Sequence, residues 1–134
     1  MFINLTPHAI RLRVDDSNEA IPLDTDIVIE PAPVTARVQT VQCLEVDHFD
    51  NADEVEGFPV YTTKYGAIEG LPQPIKGVTY IVSFVVLEAL KRNVQAASRY
   101  NCPGRPDVVG PNTNPQGDAV RKNGQVYAVR SFQR

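Results

Sequence analysis

Residues 118–134 read Asp-Ala-Val-Arg-Lys-Asn-Gly-Gln-Val-Tyr-Ala-Val-Arg-Ser-Phe-Gln-Arg. An Asn-Gly pair between alternating side chains is the signature of a two-residue hairpin loop, because a type I′ turn needs positive φ at both central residues. With Asn123 and Gly124 in the turn, Lys122 pairs with Gln125, Arg121 with Val126, Val120 with Tyr127 and Ala119 with Ala128. Strict alternation then puts Val120, Tyr127 and Val129 on a core face. Ala119, Arg121, Val126, Ala128, Arg130 and Phe132 fall on the other. Two arginines bordering small alanines leave an open strip that suits a flat anion, and a plain solvated face has the same pattern.

Working outward, 134 residues with 43% hydrophobic side chains suffice for one domain spanning 1–134 with its own core. Eleven prolines and eight glycines cut the chain into short elements. The expected fold class is therefore α+β: a twisted, mostly antiparallel β-sheet with one principal α-helix and a C-terminal β-hairpin. A net charge of −3 argues against a DNA or RNA polymer as partner, yet leaves room for a small nucleotide held by local arginines. The stretch 78–87 is the longest apolar run, broken by Thr79 and Ser83, so no membrane span and an intracellular location are expected. Cys43 and Cys102 have no metal-ligand spacing.

Along the chain, 2–5 and 9–14 read as strands around a turn at Thr6-Pro7-His8. Residues 34–46 read as a long strand with Arg37 turned away from the core, and 58–64 and 67–69 as two further strands. The segment 45–56 is acidic and reads as a solvated loop or short helix. Apolar on both faces, 78–82 is expected to be a central strand. Ser83 is placed to cap a helix over 84–99 whose apolar stripe is Val86, Leu87, Leu90, Val94 and Ala97, with Glu88 and Arg92 as an i, i+4 pair and Phe84 expected in the core. The stretch 105–117 reads as a long irregular, candidate functional loop.

Neither a nucleophile elbow, a phosphate loop, a dinucleotide fingerprint nor a zinc spacing is present in the sequence. His8 and His48 are read as structural or surface residues, and Asp107 as the ion-pair partner of Arg105. The candidate nucleotide-binding residues are Arg37, Tyr100, Arg105, Asn112, Arg121 and Arg130. Guanidinium forks suit phosphates, an aromatic face suits a base, and an amide suits a base edge or ribose. Replacing Arg121 or Arg130 by alanine is expected to cost about 2 to 4 kcal/mol of affinity with little effect on melting.

Several stretches carry a resemblance: Asn4-Leu5-Thr6-Pro7-His8, Ala36-Arg37-Val38, Tyr65-Gly66-Ala67-Ile68-Glu69-Gly70-Leu71-Pro72, Thr79-Tyr80-Ile81-Val82-Ser83, Arg105-Pro106-Asp107-Val108 and the closing Asn-Gly hairpin. Together they resemble the Thoeris anti-defence family of phages and prophages, sponges that sequester cyclic ADP-ribose signals made by bacterial TIR immune proteins. The acidic stretch 45–56 and the segment 96–104 look like insertions relative to that pattern. The resemblance implies binding without turnover, no catalytic residue, no cofactor and no metal. It also implies a homo-oligomer built from dimers in the host bacterial cytoplasm, with cyclic oligonucleotides at additional sites where Arg37 and Arg130 would act. The alternatives are a phage structural or assembly subunit and a cyclic-nucleotide hydrolase.

Overall fold

In the computed structural model, which describes residues 1–44, 54–55, 58–92 and 105–134, strand β1 (Phe2–Asn4) lies along strand β8 (Thr79–Ile81). β8 pairs in parallel with β1 on one side and with β9 (Val108–Pro111) on the other, and β12 (Phe132–Gln133) extends the sheet antiparallel to β9. A strand flanked in parallel on both edges and covered on both faces must be apolar throughout, as the 78–82 pattern is. Tyr80 and Ile81 point to opposite faces and each enters a separate core. On one face Tyr80, Val82 and Val108 pack with Leu5, Ile68 and the helix residues Val86, Leu87 and Leu90. On the other, Ile81 and Val109 pack with Ile10 and Val129.

Helix α1 (Phe84–Arg92) starts where expected. The Ser83 hydroxyl accepts from the Val86 amide at 3.4 Å, and Glu88 reaches Arg92 at 3.4 Å. Val86, Leu87 and Leu90 are buried, as is Ala89, which widens the stripe. Phe84 departs from expectation. It is 57% exposed, off the face of the first turn that buries Val86 and Leu87.

The remaining strands form two-stranded ribbons: β2 (Ile10–Leu12) with β3 (Ile27–Ile29), β4 (Arg37–Leu44) with β7 (Tyr61–Glu69), and β5 (Glu54–Val55) with β6 (Phe58–Pro59). The fold is thus α+β with mostly antiparallel pairing, a single α-helix among the described residues and a C-terminal hairpin. Several boundaries differ from the sequence reading, among them β2, which covers only Ile10–Leu12 of 9–14, and the strand read at 58–64, which is split between β6 and β7. β4 begins at Arg37 rather than at 34, because Pro33 and the bends after it delay pairing. β7 runs unbroken through Gly66, its register shift absorbed between Val38 and Thr40 of the partner strand. Strand β9 also occupies part of the stretch read as irregular, with the short turn Pro115–Gly117 following it. Gly70 has φ +78°, and a Cβ there would lie 2.5 Å from the Thr35 carbonyl oxygen, so any side chain would separate β7 from the segment before β4.

The hairpin β10 (Val120–Lys122) and β11 (Gln125–Ala128) turns at Asn123 (φ 52°) and Gly124 (φ 79°), and Lys122 with Gln125 and Arg121 with Val126 pair as expected. Beyond that the register shifts. Val120 pairs with Ala128, so Tyr127 is the extra residue of a bulge. Val120 and Ala128 are buried at 1% and 2% exposure, whereas Tyr127 is half-buried. The expected strip of Arg121, Ala128 and Arg130 on one open face is therefore corrected: Ala128 belongs to the interior, and the bulge breaks the alternation on which that strip depended.

Candidate functional site

The Asn4-Leu5-Thr6-Pro7-His8 turn is held from inside. Asn4, 1% exposed, donates its amide to the carbonyls of His8 (2.8 Å) and Ile29 (3.0 Å). Its Oδ1 accepts from the Thr6 amide at 2.9 Å. The Thr6 hydroxyl lies 2.6 Å from Asn4 Oδ1 and 2.9 Å from the His8 carbonyl, and its one proton serves one of them at a time. Pro7 has no amide to satisfy, so the chain can double back here with every buried polar group of Asn4 paired.

This turn forms one wall of a groove of about 350 Å³. Thr6, His8 and Arg11 meet Ser83 and Phe84 at the entry to α1, Pro111 at the end of β9 with Thr113 just after it, and Val126 and Tyr127 of the hairpin. The groove thus opens at the carboxyl ends of the parallel strands β8 and β9, the end at which ligands sit in open α/β sheets. A second depression, lined by Lys122, Asn123 and Gln125, adjoins it and shares Val126 and Tyr127. No carboxylate lines either hollow among the described residues. Hydroxyls, an imidazole, a guanidinium and two aromatic rings converge on a largely apolar floor, as small-molecule sites require.

Arg11 lies over the Tyr127 ring, 5.5 Å from its centroid, and its Nη1 is 3.1 Å from Asp26 Oδ2. Asp26 is shared: Arg13 Nε approaches Oδ1 at 2.6 Å, and both side chains are fully enclosed. Arg13 also donates to the carbonyls of Ser17, Glu19 and Ile21, which ties down the loop before β3. One carboxylate against two guanidiniums leaves a surplus positive charge, and Arg11, at 26% side-chain exposure, carries it to the groove.

The Arg13 hydrogen bond holds the Asp26 carboxyl below its ordinary value, against the opposing effect of burial, with the Leu23 amide and Arg11 adding to the lowering. Arg105 does the same for Asp107. A carboxyl depressed in the folded state contributes stability above its unfolded pKa and loses it as pH falls through the folded value. Thermal melts should therefore show stability level above about pH 5 and falling below about pH 4, with a shallower fall in Asp26→Asn. An unchanged acid slope in that variant would show that the Arg13 pairing contributes nothing.

The six residues singled out from sequence do not converge. Arg37 stands exposed at the start of β4 opposite Glu69, away from the groove. Tyr100, the acidic stretch 45–56 apart from the backbone of 54–55, His48, Cys102 and the expected helix beyond Arg92 lie outside the described residues. Arg105 is 3% exposed and spends its guanidinium on Asp107 (2.8 and 2.7 Å) and the Pro72 carbonyl (3.0 Å). It is an interior staple, and it does not line the groove. Asn112 donates to Ser131 Oγ and accepts from the Asn114 amide, ordering the loop whose Thr113 lines the groove. Arg121 donates to the Thr113 carbonyl at 2.7 Å and so sits at the rim.

Arg130 clasps a different loop. It donates to the carbonyls of Asp15 and Ser17, to Asn18 Oδ1 at 2.8 Å and to the Asp118 carbonyl at 3.0 Å. Arg130→Ala should lower stability by about 1 to 2 kcal/mol while changing groove affinity less than threefold. A melt and a ligand titration on one preparation check both, and affinity lost at constant stability would return Arg130 to the binding residues.

The groove residues Arg11, Phe84, Tyr127, Thr6 and His8 were not among those chosen from sequence. Arg11 alternates with apolar neighbours like any surface strand residue, and Phe84 falls at the edge of the helical stripe. Only the Asn-Leu-Thr-Pro-His turn was visible as distinctive. Among the described residues no cluster of three or more His, Cys, Asp or Glu side chains could hold a metal ion, and no helix is long and apolar enough to cross a membrane. No family model, curated protein or solved structure matches the chain.

Proposed function

We propose that the protein is an anti-defence sponge that takes a cyclic ADP-ribose isomer into this groove and holds it unchanged in the cytoplasm of the phage host. An immune effector that needs the signal then stays inactive. The observation that carries the reading is the 57% exposed ring of Phe84 on a groove that contains Arg11 and no carboxylate among its described lining residues. An adenine can stack on Phe84 or Tyr127, while the surplus charge of Arg11 and the hydroxyls of Ser83 and Thr113 meet phosphate and ribose oxygens. Arg121, at the rim, is placed to reach a ligand that extends past Thr113.

The same reading includes a homo-oligomer. The β4–β7 ribbon leaves Val41, Leu44 and Tyr61 at 58%, 44% and 54% exposure, and such two-stranded ribbons are marginal unless something packs on them. Sedimentation as a dimer or larger assembly at micromolar concentration is expected, and a monomer would count against it. Calorimetric titration with cyclic ADP-ribose tests the ligand assignment. Saturable binding by the wild type, weakened in Arg11→Gln, supports the reading, and no heat above dilution overturns it.

A further inference from the structure

We propose that His8 is the charge-adjustable contact of the groove: its protonated ring pairs with a phosphate of the bound nucleotide, so retention tightens as pH falls. The inference rests on the nucleotide reading of the groove. The backbone of His8 is fixed, since its carbonyl accepts from Asn4 and lies within reach of the Thr6 hydroxyl. Its side chain is exposed on the groove wall and makes no hydrogen bond to any described residue. A ring carried on a fixed backbone, with neither nitrogen bonded to a described residue, is available to a ligand.

The groups facing it decide the sign. Arg11 comes from β2 and Tyr127 from β11, while the α1 and β9 sides supply Ser83, Phe84, Pro111 and Thr113. Lys122 lies beyond the shared wall of Val126 and Tyr127. Asp26 is the acidic group coupled to this lining, and it acts through Arg11 while already shared with Arg13. A proton on His8 therefore adds a second cation beside Arg11, with no carboxylate among the described lining residues to neutralise it. Two phosphates supply the missing negative charge, so bound diphosphate and a proton on His8 favour each other. Histidine side chains change charge between about pH 5 and 8, where a diphosphate diester keeps its charge.

Calorimetric titration with cyclic ADP-ribose at pH 5.5 and 7.5 tests this. The wild type should bind about five- to tenfold more tightly at pH 5.5, His8→Gln should be weak at both pH values, and His8→Lys should be tight at both. Because the His8 carbonyl and not its ring serves the turn, neither substitution should move the melting temperature. Repeating the wild-type titration in two buffers of different ionisation enthalpy should show proton uptake on binding, which needs no variant. A flat wild-type profile, or pH dependence retained in His8→Gln, overturns the role of His8 and leaves the nucleotide reading standing. No binding at either pH overturns both.

Discussion

Asn4→Ala is expected to lose about 3 kcal/mol of stability, the largest loss foreseen for a single polar side chain. The amide serves four groups at once. Its removal leaves the Ile29 carbonyl and the Thr6 amide without the partners they have now, in a place where Asn4 is 1% exposed. Each orphaned buried group costs about 1 to 3 kcal/mol, and the small void adds to it. Asn4→Asp should be worse, since a carboxylate would face two carbonyl oxygens that now accept hydrogen bonds from Asn4. Chemical denaturation measures the loss. A change below about 1 kcal/mol would mean that water replaces the side chain and that the turn is held elsewhere. A folded Asn4→Ala should also bind nucleotide poorly, because the His8 wall is no longer fixed.

Phe84→Ala separates binding from folding. The ring is 57% exposed, so its removal should change stability by less than about 0.5 kcal/mol. Stacking of a base on an aromatic ring is worth about 1 to 3 kcal/mol by alanine substitution, or roughly 5- to 150-fold in affinity. Phe84→Tyr should restore most of it, since the ring face is kept. Calorimetry on the three proteins checks the series, and equal affinity in all three would place the base elsewhere, with Tyr127 the next ring to replace.

Most of the framework was legible because it depends on local chemistry. An Asn-Gly pair admits few alternatives to a type I′ turn, and a five-residue stretch that is apolar but for Thr79, followed by a serine cap, marks a central strand leading into a helix. What failed was tertiary. The bulge at Tyr127 arises because Ala128 faces Val120 across the hairpin and Val129 enters the second core, which alternation within the hairpin cannot register. Nothing local marks Arg13 as an interior residue, yet its burial is stabilised by Asp26, thirteen positions away, and by three loop carbonyls. Arg105 was read both as a partner of Asp107 and as a nucleotide-binding residue, and the structure shows the first pairing in a buried setting. For the site, residue type pointed to arginines and aromatics, but which of them share a groove depends on the parallel pairing of β8 with β9 and on where the 6–8 turn lies.

Retention without turnover is tested most directly by loading the protein with cyclic ADP-ribose, removing free ligand by gel filtration, denaturing by heat and separating the released compound by chromatography. The expected result is cyclic ADP-ribose, chemically unchanged and in whole-number ratio to protein groove. Recovery of linear ADP-ribose would make the protein a hydrolase, and recovery of nothing would leave a structural subunit whose groove holds no signal.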